Sequence, residues 1–383
     1  MSTAAAPNSG TGASWFQRYL LPGLAFKAVV IGGGYATGRE LAEFFLPSGP
    51  WGGLMGMLLA MVVWSGICAV TFALAHVMRA YDYRTFFKQL LGPLWVTFEI
   101  AYVLFVVLIL SVFGAAAGAI AAATVGVASI WGSLLLAAAI ASFATFGNAS
   151  VERLFKWVSF LLYAVYALFV VLALTRFGDR VAANFALDAP TNGWALGGLT
   201  YASYNIVGAV VILPVIRHLS SRREAVVAGV IAGPLAMLPA LLFFVCMIAY
   251  YPDVAKETLP SDFLLQQLRA PAFHLLFQLM IFAALLESGT GAIHAINERV
   301  DSVQRARGRG PLSRRARAGV TVTLLIGCLF VADRVGLVSL IGNGYRVLAY
   351  TILTVYVVPL LTVGLARLIR GERSLQQGVA TTP

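Results

Sequence analysis

One carboxylate, Glu287, stands near the middle of the apolar stretch 271–299, with Thr290, Gly291, His294 and Glu298 recurring on one side at helical spacing. An ionised carboxylate in an apolar medium is costly, so this one must be paired, protonated or set in a wet pathway. Protonation would make it a proton carrier; pairing with Arg346 or Lys27 would make it structural. A second chemically unusual stretch is Ile31-Gly32-Gly33-Gly34-Tyr35-Ala36-Thr37-Gly38, followed at once by Arg39, Glu40 and Glu43. A third is Thr200-Tyr201-Ala202-Ser203-Tyr204-Asn205, preceded by Gly193, Gly197 and Gly198. Four histidines scattered at 76, 218, 274 and 294 make no metal-ligand pattern.

The elements that must position these residues are membrane helices. Of 383 residues, 60% are hydrophobic and only 11% charged, with a mean hydropathy of +0.85. A water-soluble chain of this length carries about a quarter charged residues. Continuous apolar runs such as 54–74 and 158–174 fit helices, whereas barrel strands would alternate in polarity. Windows of about 20 residues predict ten spans, near 15–46, 52–78, 92–123, 130–147, 153–176, 194–218, 225–250, 271–299, 317–333 and 338–368. With the N-terminus inside, 19 Lys/Arg fall on the inner side and 5 on the outer, with Lys27, Arg39 and Arg346 within spans. That bias predicts a multi-pass protein of the cell (inner) membrane with both termini cytoplasmic. The net charge of +11 belongs to these inner loops, including seven arginines between Arg299 and Arg317, so no nucleic-acid partner is expected. Residues 1–14 read as a disordered cytoplasmic segment without a cleaved signal, and 369–383 as a cytoplasmic tail. Cys68, Cys246 and Cys328 all lie in apolar runs and read as small core residues.

Three successive glycines each cost a helix about 1 kcal/mol relative to alanine, and these sit at membrane depth. Gly34-Tyr35-Ala36-Thr37-Gly38 and Thr200-Tyr201-Ala202-Ser203-Tyr204 look alike and open spans one and six. Each therefore begins a five-span half, 15–176 and 194–368, and an odd number of spans inverts the second half. Interrupted helices at equivalent places in inverted halves point to a binding site at the membrane midplane. A broken helix offers amide groups at Ala36–Arg39 for an anion and carbonyls near Ile31–Gly33 for a cation. Gly33, Gly34, Tyr35, Ala36, Thr37, Gly38, Tyr201, Ser203, Tyr204 and Asn205 are the candidate substrate contacts, though Thr37 and Ser203 could instead cap their own helices. Arg39, Glu40 and Glu43 are candidate gating residues; Arg39 and Glu43 at i, i+4 could equally pair with each other.

The segments Gly32–Glu40, Tyr201–Asn205, Glu287-Ser288-Gly289 and Ile296-Asn297-Glu298-Arg299 resemble those of the YkvI-like membrane proteins, over nearly the whole chain. That group is similar to an outlying branch of the amino acid–polyamine–organocation superfamily. The resemblance implies the LeuT fold: an all-α membrane protein of ten helices in a five-plus-five inverted repeat, with helices 1 and 6 interrupted. It also implies a sodium site between spans one and eight, to which Ile31, Ser288 and Thr290 could contribute, with the acidic Glu287 beside it favouring a proton instead. Lys156 is a further candidate, since some sodium-independent relatives use a lysine there as proton carrier; a lysine snorkelling to the surface is the alternative.

The expected function is that of a secondary active transporter, moving a small organic solute (an amino acid or other carboxylate or amine) by alternating access coupled to H+ or Na+. An uncoupled channel or a membrane-embedded solute sensor is the alternative on the same fold. No phosphate loop, metal cluster or large soluble segment suggests an enzyme. The partners expected are the solute and the lipid bilayer, with no cofactor beyond the coupling ion; the sequence leaves the oligomeric state open.

Overall fold

A computed structural model describes residues 14–31, 36–146, 149–308 and 310–370, without the side chains of 146–161 and 306. The expected segments 1–14 and 369–383 fall almost wholly outside these, as do Gly32, Gly33, Gly34 and Tyr35. The described chain is almost entirely helical. Predicted span one is two helices, α1 (Leu21–Val30) and α2 (Arg39–Phe44). Then follow α3 (Gly49–Met78), α4 (Tyr83–Leu91), α5 (Trp95–Val125), α6 (Ser129–Phe146) and α7 (Ala149–Phe185). Predicted span six is α8 (Trp194–Asn205), α9 (Val207–Val211) and a 3-10 turn, Leu213–His218. The remainder is α10 (Arg222–Ile248), α11 (Pro260–Leu268), α12 (Pro271–Ala306), α13 (Arg314–Val335) and α14 (Leu337–Arg370).

Among the described residues, seven helical stretches are long and apolar enough to cross a bilayer. The predicted spans missing from that set have a physical reason. The first half of span one and all of span six are fragments of broken helices, and the described apolar part of span four, Ser129–Thr145, is short. Two helices were not anticipated. α4 is amphipathic and capped by Asp82, whose carboxylate accepts from Thr85 N at 2.8 Å, and it lays Phe86, Phe87 and Leu90 inward. α11 opens with Pro260 at its first turn, where a missing N–H costs nothing.

Small residues set the helix spacing. In lipid no hydrophobic force draws helices together, so close van der Waals contact must. α10 turns Ala225, Ala228, Gly229, Ala232, Gly233 and Ala236 inward, all buried, and Gly229 and Gly233 lie directly on the α3 backbone at Ala69 and Ser65. α8 meets α3 where Gly198 touches Gly56, and Gly197 lies on Phe44 O of α2. These two glycines are therefore close-packing residues and do not mark the break in span six. Trp64 fills the centre, its indole N–H donating to Ala202 O at 3.1 Å across rings of Phe26 and Tyr201.

Candidate functional site

The break in span one is defined by its flanks. α1 ends where Ile31 leaves helical geometry (φ −75°, ψ 78°), and α2 begins after Gly38, whose φ of +77° favours glycine. In span six the helix runs unbroken through Thr200–Asn205 and is interrupted at Ile206 and again at Ile212, before the 3-10 turn. The amides of Thr200–Asn205 are accordingly spent within α8, contrary to the expectation that free groups lie there. Ser203 Oγ donates to Leu199 O at 2.6 Å and Asn205 Nδ2 to Tyr201 O at 3.1 Å, both within their own helix. Thr37 Oγ1 accepts from Arg39 N at 3.4 Å, a local bond across Gly38.

A cavity of about 900 Å³ reaches both breaks. Its deep end is formed by Ile31, Glu40, Tyr204, Asn205 and Tyr345, and its side wall by Glu287, Ser288 and Thr290 of α12. Gly291 and His294 continue that wall towards a mouth at Leu312, Arg314 and Arg317, on the arginine-rich face. Thr290 Oγ1 is buried there without a hydrogen-bond partner among the described residues. Of the predicted substrate contacts, only Tyr204 and Asn205 line this cavity. Ala36 lines a smaller one; Thr37, Gly38, Tyr201 and Ser203 line neither; Gly33, Gly34, Tyr35 and the Lys156 side chain lie outside the described residues.

Glu40, expected among the gating residues, sits apart from the Arg39–Glu43 pair. It is buried at the cavity floor, where its Oε2 accepts from Tyr204 OH at 2.5 Å, joining the two broken helices. Tyr204 in turn packs against Tyr345 at 4.4 Å between ring centroids. Tyr204→Phe should cost about 2 kcal/mol of stability, since a buried carboxylate loses a donor. Thermal unfolding in detergent checks this, and an unchanged midpoint would show the contact to be inert.

The opposite face is closed. Arg39 Nη1 donates to Ala255 O and Glu257 O, each at 2.9 Å, and Nη2 pairs with Glu43 Oε2 at 3.0 Å. Glu43 Oε1 lies 3.7 Å from Arg346 Nη2, which removes Arg346 as a partner for Glu287. Beyond the clamp, Ser261 N donates to Thr37 O at 2.9 Å, so α11 lies over the break. α11 is held to α12 by Asp262, whose carboxylate takes Gln266 Nε2 at 2.7 Å and both His274 Nε2 and Gln278 Nε2 at 2.6 Å. Because Arg39 is consumed here, it does not supply a cation to the cavity. The local Arg39–Glu43 pair is present, and the same guanidinium ties α2 to the segment 255–257.

Sequence reasoning weighed Lys27 only as a partner for Glu287. It is buried in α1 one turn before the break, with its Nζ 3.5 Å from the centroid of the Tyr163 ring and no carboxylate partner among the described residues. The expected Lys27–Glu287 bridge is not formed; the ring stands in its place. The signal was a lysine inside a span, but only the fold shows that it meets no carboxylate among the described residues.

No family model matches the chain. It is 25% identical over 332 residues to the uncharacterized membrane protein YkvI of Bacillus subtilis (strain 168), covering 85% of this chain and 91% of that one. Among solved structures it is similar to MhsT in complex with L-phenylalanine (18% identity, TM-score 0.58, 93% of this chain and 88% of that). It is also similar to a Na+-coupled sialic acid symporter in a substrate-bound outward-open state (12%, 0.63, 89% and 78%). A manganese transporter of Eremococcus coleocola matches at 15% with a TM-score of 0.55, over 94% of this chain and 81% of that. The resemblance to YkvI and the LeuT-like fold, with helices 1 and 6 interrupted, are thus what the sequence led one to expect. The chain is a helical membrane protein with the fold of transporters.

Proposed function

We propose that the protein is a secondary active transporter that carries a small organic solute by alternating access, and not an enzyme. One observation carries this reading: a cavity open to one face ends at the two broken helices, while a clamp and a lid close the other face over the same point. A channel needs both ends open at once; a carrier needs one closed. By the positive-inside rule the open, arginine-rich face is the cytoplasmic one, so this is an inward-open state with both termini inside. The solute site is the floor around Glu40, Tyr204, Asn205 and Tyr345. The coupling cation, H+ or Na+, belongs at the corner where Ile31 at the end of α1 faces Glu287, Ser288 and Thr290 of α12. The transporter likenesses in fold support a coupled carrier, and no further cofactor is required.

The test is counterflow and uptake of amino acids, amines and organic acids in liposomes holding the purified protein, under imposed pH or Na+ gradients. The expected result is saturable counterflow of at least one class, with gradient-driven accumulation. Glu287→Gln should weaken the accumulation while retaining counterflow. Single-channel currents, or no solute flux across the panel, would overturn the proposal.

A further inference from the structure

Lys27 is the most anomalous ionisable group of the bilayer core. Its Nζ sits over Tyr163 at 3.5 Å, with no hydrogen bond or ion pair among the described residues. It lines a second cavity, about 160 Å³, whose other walls include Leu238, Pro239 and Leu242 of α10 and Met280 of α12. Ile31 and Ala36, the described residues on either side of the break, both line that cavity too. Among the described residues, the titratable groups around the amine are Tyr163 and Tyr166 of α7 and, in the main cavity beyond Tyr163, Glu287 of α12; α10 presents only apolar side chains. An ammonium in such a place is expensive, and an intramembrane lysine without a counter-ion is a candidate for changing its charge during function. Tyr163, Leu162 and Ile31 line both cavities, so a shift of the Tyr163 ring connects Lys27 to the open aqueous route.

We propose that Lys27 is the proton-binding residue of the carrier: its amine takes up one proton, and the resulting ammonium, held on the Tyr163 face and opposite Glu287, staples α1 to α7 in the inward-open state. Loss of that proton leaves a neutral amine in an apolar cavity and frees α1 to rock. Protonation thus favours the state with the outer gate closed, and deprotonation favours outer opening. This rests on the proposed function and refines it: the coupling ion is a proton, and it binds at Lys27, across the Tyr163 ring from the Glu287 corner.

The experiment reads the gate without needing the solute. Lys256→Cys in the outer loop and Val127→Cys in the α5–α6 turn, both exposed, carry spin labels, while the buried native cysteines stay unlabelled. All variants carry His274→Gln, which keeps an N–H for Asp262 and removes the imidazole of the lid from the titration. From about pH 9.5 to about pH 5.5 the ratio of closed to open gate distances should rise about tenfold or more. Lys27→Gln should hold the high-pH distribution throughout, and Lys27→Arg, which keeps the charge and the ring contact, the low-pH one. Glu287→Gln should move the midpoint to lower pH and keep the transition. A pH response in Lys27→Gln equal to the parent's overturns the inference, as does a parent that does not respond; should Lys27→Gln fail to yield monodisperse protein, a pH-responsive Lys27→Arg overturns it alone. If the gate shows two distances but Lys27 does not govern them, the carrier reading stands and only this inference falls. One distance under every condition, with no flux in liposomes, removes the carrier reading itself.

Discussion

Arg39→Ala is expected to turn the protein outward-open. In the closed gate the guanidinium makes three charge-assisted hydrogen bonds, to Ala255 O, Glu257 O and Glu43. Each is worth about 1.5–3 kcal/mol, and water recovers part of that when the gate opens. A net loss of about 3 kcal/mol moves the closed-to-open ratio by about a hundredfold. The Lys256/Val127 spin-label pair reads the result as a change of the dominant distance, and an unchanged distribution would show that the clamp carries no gating energy. Arg39→Lys should give a smaller shift of the same sign. A single ammonium cannot present the planar fork that reaches loop and helix together.

The second large effect falls on folding. A Cβ at Gly233 would lie 2.9 Å from Ser65 N and overlap Ser65 Oγ and Met61 O, both on α3. Backbone cannot give way as a side chain does, so Gly233→Leu must push α3 and α10 apart along the tightest helix pair of the bundle. A cost above about 4 kcal/mol follows, enough to leave no folded population. Fluorescence-detected size exclusion of a tagged protein should show aggregate only. Gly327→Leu on α13 is the control: nothing lies within 4 Å of its Cβ position, and it should be tolerated. Equal behaviour of the two variants would mean that the glycine stripe of α10 is incidental.

The contrast between those glycines explains what the sequence could and could not disclose. Charge asymmetry and apolar length revealed the membrane helices because the bilayer acts on every residue by the same rule. The break in span one was legible because three adjacent glycines are intolerable in a continuous helix. Gly197 and Gly198 were misleading for the same reason: glycine both loosens a helix and admits a neighbouring backbone. Only the presence of Gly56 and Phe44 decides between the two roles. The interruption at Ile206 carries no glycine or proline of its own, lying between Asn205 and Val207. Glu287 and Thr290 were found by helical spacing and Ser288 through the family resemblance, and all three line the cavity. Glu40 was placed at the gate by proximity to Arg39, yet successive residues on a helix point about 100° apart, and it faces the floor. Glu43 and Arg346 meet across some three hundred residues of chain, which periodicity cannot foresee.

The small cavity beside Lys27 has one more implication. Two of its walls, Leu238 and Leu242, are 55% and 40% exposed on the outer surface of the bundle, where the solvent is hydrocarbon. The amine that governs the break is therefore screened from lipid by little more than two leucines. A hydrophobic compound dissolved in the bilayer can approach it sideways, between α7 and α10, without entering the solute route from either compartment. Blockers of such a protein would then be ranked by their partition into lipid, and the thickness and fluidity of the surrounding bilayer would belong among the variables that set its turnover.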